Sequence, residues 1–165
     1  MSYIASAIPT MIGYGYAPGF ATGIFAVGGI MGIIGSFLFG VIDQKMGTKK
    51  AFLIYFVCII IGFIFTLLMP RGAVFCWLAG IIIFAAQGAL CNLLPSYVAT
   101  KYGRWDYPSG YRVIGTVFEI GAGVGVMMIG IFQNAAVMYT FDIVTLVIGF
   151  IFMIASSDKF IGKAG

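Results

Sequence analysis

The sequence contains no histidine, and only nine Lys or Arg and five Asp or Glu residues occur among its 165 residues. The absence of imidazole excludes histidine metal sites, Ser-His and Cys-His nucleophile pairs and the usual proton shuttle at neutral pH. The scarcity of charge excludes a water-soluble globular domain, in which about a quarter of the residues are charged. We therefore expect neither an enzyme nor a protein that depends on a metal or cofactor.

Cysteine is also scarce, and its three positions carry no ligand pattern. Cys58, Cys76 and Cys91 lie within apolar runs and form no C-x-x-C spacing, which argues against a zinc site or a disulfide framework. No Gly-x-x-x-x-Gly-Lys-Ser/Thr loop is present for a nucleotide, and no Gly-x-Ser-x-Gly turn for a nucleophile. The sequence gives no sign of chemistry driven by ATP.

Apolar residues are what the sequence has in abundance, at 62% of the total with a mean hydropathy of +1.11. A hydrocarbon core of about 30 Å needs roughly 20 helical residues. Five segments of about that length are separated by turn or charge signals, which predicts an all-α membrane protein with one transmembrane domain over residues 1–165. The five predicted complete spans are residues 20–42, 51–69, 73–94, 113–132 and 137–155.

The first twelve residues predict a sixth, partial helix, because twelve residues reach only about 18 Å. A turn at Gly13–Gly19 follows, with two tyrosines of the kind that favour the membrane interface. We expect the chain to begin partway through a membrane helix, as a fragment, a truncated product or an internal start.

Basic residues lie in three segments that the predicted spans place on one side of the membrane. They are Lys45, Lys49, Lys50, Lys101, Arg104, Arg112, Lys159 and Lys163; only Arg71 lies on the other side. Positively charged loops stay in the cytoplasm, so we expect a multi-pass protein of the cell membrane with a cytoplasmic C-terminus. The net charge of +4 thus reflects topology, and the expected partner is the lipid bilayer, not nucleic acid.

The turn between the first two complete spans carries the most specific motif. In Gly40-Val41-Ile42-Asp43-Gln44-Lys45-Met46-Gly47-Thr48-Lys49-Lys50, the chain resembles the major facilitator superfamily, whose corresponding loop reads Gly-x-x-x-Asp-Arg-x-Gly-Arg-Lys. Gly40 and Gly47 match in spacing, and Lys45 and Lys49 fall on basic positions. Asp43 lies one residue early, with Gln44 at the carboxylate position and Thr48 at the first basic position after the second glycine. The degraded copy is similar to the one in the C-terminal half of these transporters.

The order of the spans and the segment Tyr102–Tyr107 also resemble helices seven to twelve of that family. The resemblance implies half of a major-facilitator bundle that moves a small solute by alternating access and needs an N-terminal half as its partner. Three other interpretations stay open: an ordinary positive-inside hairpin at the loop, a small substrate-binding membrane subunit of a multi-component importer, or a nonfunctional fragment of a transporter.

Three polar residues inside predicted spans are candidates for a substrate or proton path: Glu119, Gln87 and Asn92. A charged side chain costs about 2.5–3.5 kcal/mol at a helix centre on insertion scales, so Glu119 is expected to face protein or water. Glu119 could equally be structural, and the two amides could be interhelical contacts. We interpret Asp142, near the start of the last helix, as structural.

The loop motif and the next basic segment together predict a cytoplasmic gate. Its candidate residues are Gly40, Asp43, Lys45, Gly47, Lys49, Lys50, Arg104 and Arg112. We expect Asp43, Arg104 and Arg112 to form ion pairs that close the gate. Small residues at Gly28, Gly32, Ser36 and Gly40 form a ridge that serves either helix packing or rocking between transporter halves.

Overall fold

The computed structural model describes residues 2–132 and 134–156, and every regular element in that part of the chain is helical. The five α-helices are α1 (Ser2–Gly13), α2 (Pro18–Met46), α3 (Thr48–Leu67), α4 (Ala73–Ile131) and α5 (Ala135–Ala155). A short 3-10 helix, Met69–Arg71, joins α3 to α4. The structure therefore confirms the all-α prediction and the short N-terminal helix.

Proline and glycine set the helix boundaries. Pro18 occupies the first turn of α2, where its missing N–H is not needed. Gly47 alone separates α2 from α3 and has φ of 85° and ψ of 153°, a conformation reserved almost entirely for glycine. The tight turn predicted at this point is thus a single residue, and the two helices extend up to it.

The segment between the third and fourth predicted spans differs from our expectation of a loop. Residues 95–112 are helical within α4, except at Gly103, where φ of 68° and ψ of −174° break the helix. The two arms, residues 73–102 and 104–131, turn back toward each other, because residues 87–95 of the first arm and 111–119 of the second line one cavity. α4 is therefore a kinked hairpin, with a glycine where the sequence suggested a longer connection.

Within residues 2–132 and 134–156, four helices are long and apolar enough to cross a membrane: α2, α3, α4 and α5. The chain is accordingly a membrane-embedded helical protein. Five complete spans were predicted, and the hairpin accounts for the difference in number, since both the 73–94 and 113–132 segments lie within α4.

The tightest helix packing lies between α2 and α4. A Cβ added to Gly88 would lie 2.6 Å from the carbonyl carbon of Gly32, and one added to Gly35 would lie 2.6 Å from the carbonyl carbon of Ala85. Gly28 also faces this interface, against the ring of Phe84, whereas Gly40 has open space around it. The predicted ridge thus packs against α4 along most of its length but not at Gly40.

Hydrogen bonds bring the predicted basic segments to one end of the bundle. Thr48 lies 3.3 Å from Thr100 between hydroxyl oxygens, and the Lys49 ammonium donates to the carbonyl of Ser156 at 2.7 Å. At the other end, the Tyr16 hydroxyl donates to the Met69 carbonyl at 2.9 Å. This pattern matches the predicted alternation of connections, although Lys159 and Lys163 lie outside the described residues.

Candidate functional site

A cavity of about 730 Å³ lies between the two arms of α4. Its wall includes Gln87 from the first arm, and Arg112 and Glu119 from the second. The hairpin at Gly103 produces this arrangement, because it returns the second arm along the first. Two of the three predicted path residues, Gln87 and Glu119, therefore share one cavity with Arg112, a residue predicted for the gate.

A second cavity, of about 380 Å³, adjoins the first and lies between helices α1, α3, α4 and α5. The two cavities share Gln87, Leu90 and Phe118 in their walls. Asp142 of α5 lines the second cavity, and one of its carboxylate oxygens accepts a hydrogen bond from the Ser2 hydroxyl at 2.6 Å. Asp142, Gln87 and Glu119 thus line two cavities that share part of their walls.

Asp142 is the site residue that sequence reasoning missed. It was assigned a structural role at the outer end of α5, because its position near the start of a span suggested contact with water. The sequence feature that could have indicated this role is Ser2 in the short first helix. A hydroxyl on a neighbouring apolar helix can bind a carboxylate and keep it out of contact with lipid. Without knowing that α1 contacts α5, the pairing could not be assigned.

A group of hydroxyls on α1 and α5 holds this region in register. The Tyr139 hydroxyl lies 2.9 Å from the Ser6 hydroxyl and donates to Thr10 at 3.3 Å. Ser6 also donates to the Ser2 carbonyl at 2.7 Å. Because these bonds fix α1 against α5 on the side of Asp142, they also fix the position of the Ser2 hydroxyl that contacts the carboxylate.

Asn92, the third predicted path residue, lies outside both of these cavities. Its amide nitrogen donates to the Ser36 carbonyl at 3.0 Å and to the Ser36 hydroxyl at 2.7 Å. These contacts tie α4 to α2 beside the close approach of Gly88 and Gly32. The geometry favours the interhelical contact that the sequence left open for this residue.

The predicted gate loop is held by hydroxyl groups of α4. The Asp43 carboxylate accepts a short hydrogen bond from the Ser96 hydroxyl. Ser96 in turn lies 3.4 Å from the Thr48 hydroxyl, and the Thr100 hydroxyl donates to the Ser96 carbonyl at 2.9 Å. Ser96 and Thr100 were not among the predicted residues, but their hydroxyls at i and i+4 on an apolar helix were a readable signal.

The two predicted gate arginines lie away from Asp43. The guanidinium carbon of Arg104 is 6.0 Å from the centre of the Trp105 ring, and Arg112 lines the cavity with Glu119. The remaining predicted gate residues stay in the turn region, with Lys45 and Lys50 exposed and Gly40 and Lys49 half-buried. In this structure, the polar partner of Asp43 is thus a serine on α4.

The large cavity is lined by the half-buried Gln87 and by the exposed side chains of Arg112 and Glu119. Within residues 2–132 and 134–156, no three Cys, Asp or Glu side chains lie together as a metal site would require. A carboxylate, an amide and a guanidinium around one cavity can bind a polar solute or exchange a proton with one. Comparison with models of known families, with curated proteins and with solved structures yields no match to this chain.

Proposed function

We propose that this chain is one helical lobe of a secondary transporter similar to the major facilitator superfamily, and that it moves a small solute by alternating access. The observation that carries the proposal is the pair of cavities with shared wall residues that Gln87, Glu119 and Asp142 line, with Gln87 and Asp142 half-buried among apolar helices and Glu119 exposed. Intramembrane polar residues that face a cavity mark solute or ion pathways, because exposure of their charges to lipid is costly.

The proposal includes five complete spans, with both arms of α4 crossing the membrane. If α4 were straight, its 59 residues would extend about 88 Å at 1.5 Å per residue, nearly three times the hydrocarbon thickness. The break at Gly103 allows two crossings instead. A second lobe, the N-terminal half in the family, then completes the solute path, because secondary transporters place the site between two repeats.

The proposed orientation places the basic end of the bundle in the cytoplasm of a cell membrane. Support comes from the contacts of Thr48 with Thr100 and of Lys49 with Ser156, which gather the basic connections at one end. Single cysteines introduced at the exposed positions Gln44 and Arg71, in a background in which Cys58, Cys76 and Cys91 are replaced by serine, test the orientation. A membrane-impermeant maleimide added to intact cells is expected to label R71C alone, and labelling of Q44C instead would reverse the orientation.

Cys91 provides a native test of the solute path, because it lines the large cavity 18 positions into α4. If water fills the cavity, a charged, membrane-impermeant thiol reagent reaches Cys91 in open membranes, and Cys91→Ser abolishes the labelling. The matched control is Ile30→Cys in the Cys91→Ser background, at a highly exposed apolar position of α2 that we assign to lipid and that does not share a cavity with Cys91. Equal labelling of both positions, or no labelling of Cys91, would contradict a water-filled path.

Transport itself is tested by uptake of a panel of labelled sugars, amino acids and organic ions into cells that coexpress the full chain and a six-span N-terminal lobe. We expect a solute whose accumulation is lost in Glu119→Gln and Gln87→Ala but retained in Gln44→Ala, an exposed position in the turn. If no solute accumulates in the presence of the second lobe, the carrier proposal fails. Cells that express the chain alone are the negative control, because half of the solute path is then missing.

A second candidate is a substrate-binding membrane subunit of a multi-component importer. The observation that favours it is that a single helix, α4, brings the amide of Gln87, the guanidinium of Arg112 and the carboxylate of Glu119 to one cavity of about 730 Å³. This alternative predicts that the purified chain binds a solute tightly and reduces Cys91 labelling in detergent, with no uptake by the chain alone. A carrier lobe predicts weak binding until its second lobe is present.

A further inference from the structure

A third cavity, of about 470 Å³, lies at the basic end of the bundle and is separate from the proposed solute path. It is formed by the α2–α3 turn and by the last turns of the first arm of α4. Its polar lining consists of Lys49, Lys50, Lys101, Thr48, Thr100 and Tyr97. None of the lining residues is a carboxylate, so the cavity collects positive charge and hydroxyl donors.

Lys101 is the unusual member of this lining, because its side chain is only 5% exposed. The partner that the described part of the chain provides for its ammonium is the ring of Tyr97, 5.7 Å from nitrogen to ring centre. A ring face attracts a cation but does not neutralise it. Buried charges in proteins are normally paired with an opposite charge, so this ammonium has room for an anionic partner.

The backbone adds donors to the same place. α3 begins at Thr48, directly at the cavity, and Gly47 before it has no side chain with which to cap the free N–H groups of the first turn. Such a helix start favours negative charge. The Thr48 and Thr100 hydroxyls lie 3.3 Å apart in the same wall. Ammonium, hydroxyl and amide donors together are the set that binds a phosphate group.

We propose that this cavity binds a phosphate-bearing anion, and that the headgroup of an anionic phospholipid in the adjoining leaflet supplies it. The location favours a lipid, because the cavity lies at the end of apolar helices, where headgroups gather around basic residues. Lys101 and Lys50 hold the phosphate from two sides of the cavity. The inference concerns the membrane boundary and stands whatever solute the chain carries.

The test uses the full chain, purified in neutral detergent, and measures its thermal unfolding with added phosphatidylglycerol, phosphatidylcholine or inorganic phosphate. Phosphatidylglycerol is expected to stabilise the protein, with an apparent Kd that rises roughly tenfold in Lys101→Gln and in Lys50→Gln through loss of a charge-assisted bond. Lys45→Gln is the matched control, because Lys45 lies in the same turn, is exposed and does not line the cavity.

The three added compounds distinguish a lipid site from a site for soluble phosphate. Lysine-dependent stabilisation by phosphatidylglycerol alone supports a lipid headgroup, and equal lysine-dependent stabilisation by inorganic phosphate supports a phosphate site with a soluble source. The proposal is overturned if phosphatidylcholine acts as well as phosphatidylglycerol, or if Lys45→Gln weakens binding as much as Lys50→Gln. Lys50 is exposed, so its substitution keeps the test valid even if Lys101→Gln fails to fold.

Discussion

Gly88→Ala tests the packing of α2 against α4 on which the shape of the bundle depends. An added Cβ would lie 2.6 Å from the carbonyl carbon of Gly32, whereas ordinary contact begins at 3.4 Å. The neighbouring atoms are backbone, so a side-chain rotation cannot relieve the clash. The two helices must separate by at least about 0.8 Å, the difference between these two distances.

This separation would also break the contacts of Asn92. Its bond to the Ser36 carbonyl is 3.0 Å long, and an added 0.8 Å takes it beyond hydrogen-bond range. Overpacking costs about 1–3 kcal/mol, and interhelical hydrogen bonds in membranes contribute about 0.6 kcal/mol each. Alanine also gains about 1 kcal/mol of helix propensity over glycine, so Gly88→Ala is expected to lower the unfolding free energy by about 1–3 kcal/mol net.

The assay is reversible unfolding of the purified chain in mixed detergent micelles with increasing dodecyl sulfate. Gly29→Ala is the control, because an added Cβ there meets nothing within 4 Å and alanine gains about 1 kcal/mol of helix propensity. Asn92→Ala should cost less in the Gly88→Ala background than alone, because its partners have already moved apart. If Gly88→Ala is as stable as Gly29→Ala, the close approach of these helices is refuted.

Two further comparisons test individual contacts by the same unfolding assay. Tyr3→Phe should raise the unfolding free energy by about 1 kcal/mol, because the buried Tyr3 hydroxyl has no hydrogen-bond partner in residues 2–132 and 134–156. Tyr139→Phe should lower the unfolding free energy by a similar amount, since the Tyr139 hydroxyl contacts Ser6 and Thr10. Equal effects of the two substitutions would contradict both assignments. Gly47→Ala should cost about 1–3 kcal/mol through its positive φ, whereas Gly40→Ala, with open space around it, should cost little; the reverse order would show that the turn conformation is wrong.

Composition and periodic charge were sufficient to predict an all-α membrane protein, because a bilayer imposes a fixed helix length and separates basic from neutral connections. The turn at Gly47 could also be predicted from the sequence, since a glycine that lies beside lysines between two apolar runs usually marks a turn. The hairpin of α4 was not readable in the same way. Tyr102–Tyr107 contains polar and charged residues that suggested a loop, yet only Gly103 leaves the helix.

The site could be predicted only where each residue carried its own signal. Glu119 and Gln87 were visible as polar side chains in apolar runs, and the structure places both in one cavity. Asp142 could not be distinguished from a capping residue, because its role depends on the contact with Ser2, 140 positions away. Contacts between helices join residues that are far apart in the sequence, and a hydropathy pattern does not specify which helices contact each other.

Asp43 shows how the same limitation affects the gate. The sequence offered two arginines as partners for its carboxylate, and opposite charge made them the natural choice. The structure instead satisfies the carboxylate with Ser96, a neutral donor that can form a short bond without burying a second charge. A contact of this kind can be exchanged at low cost when helices move. In the proposed carrier, a gate held by this serine would therefore open without the separation of an ion pair, and a substitution of Ser96 by Ala would leave the Asp43 carboxylate without this donor.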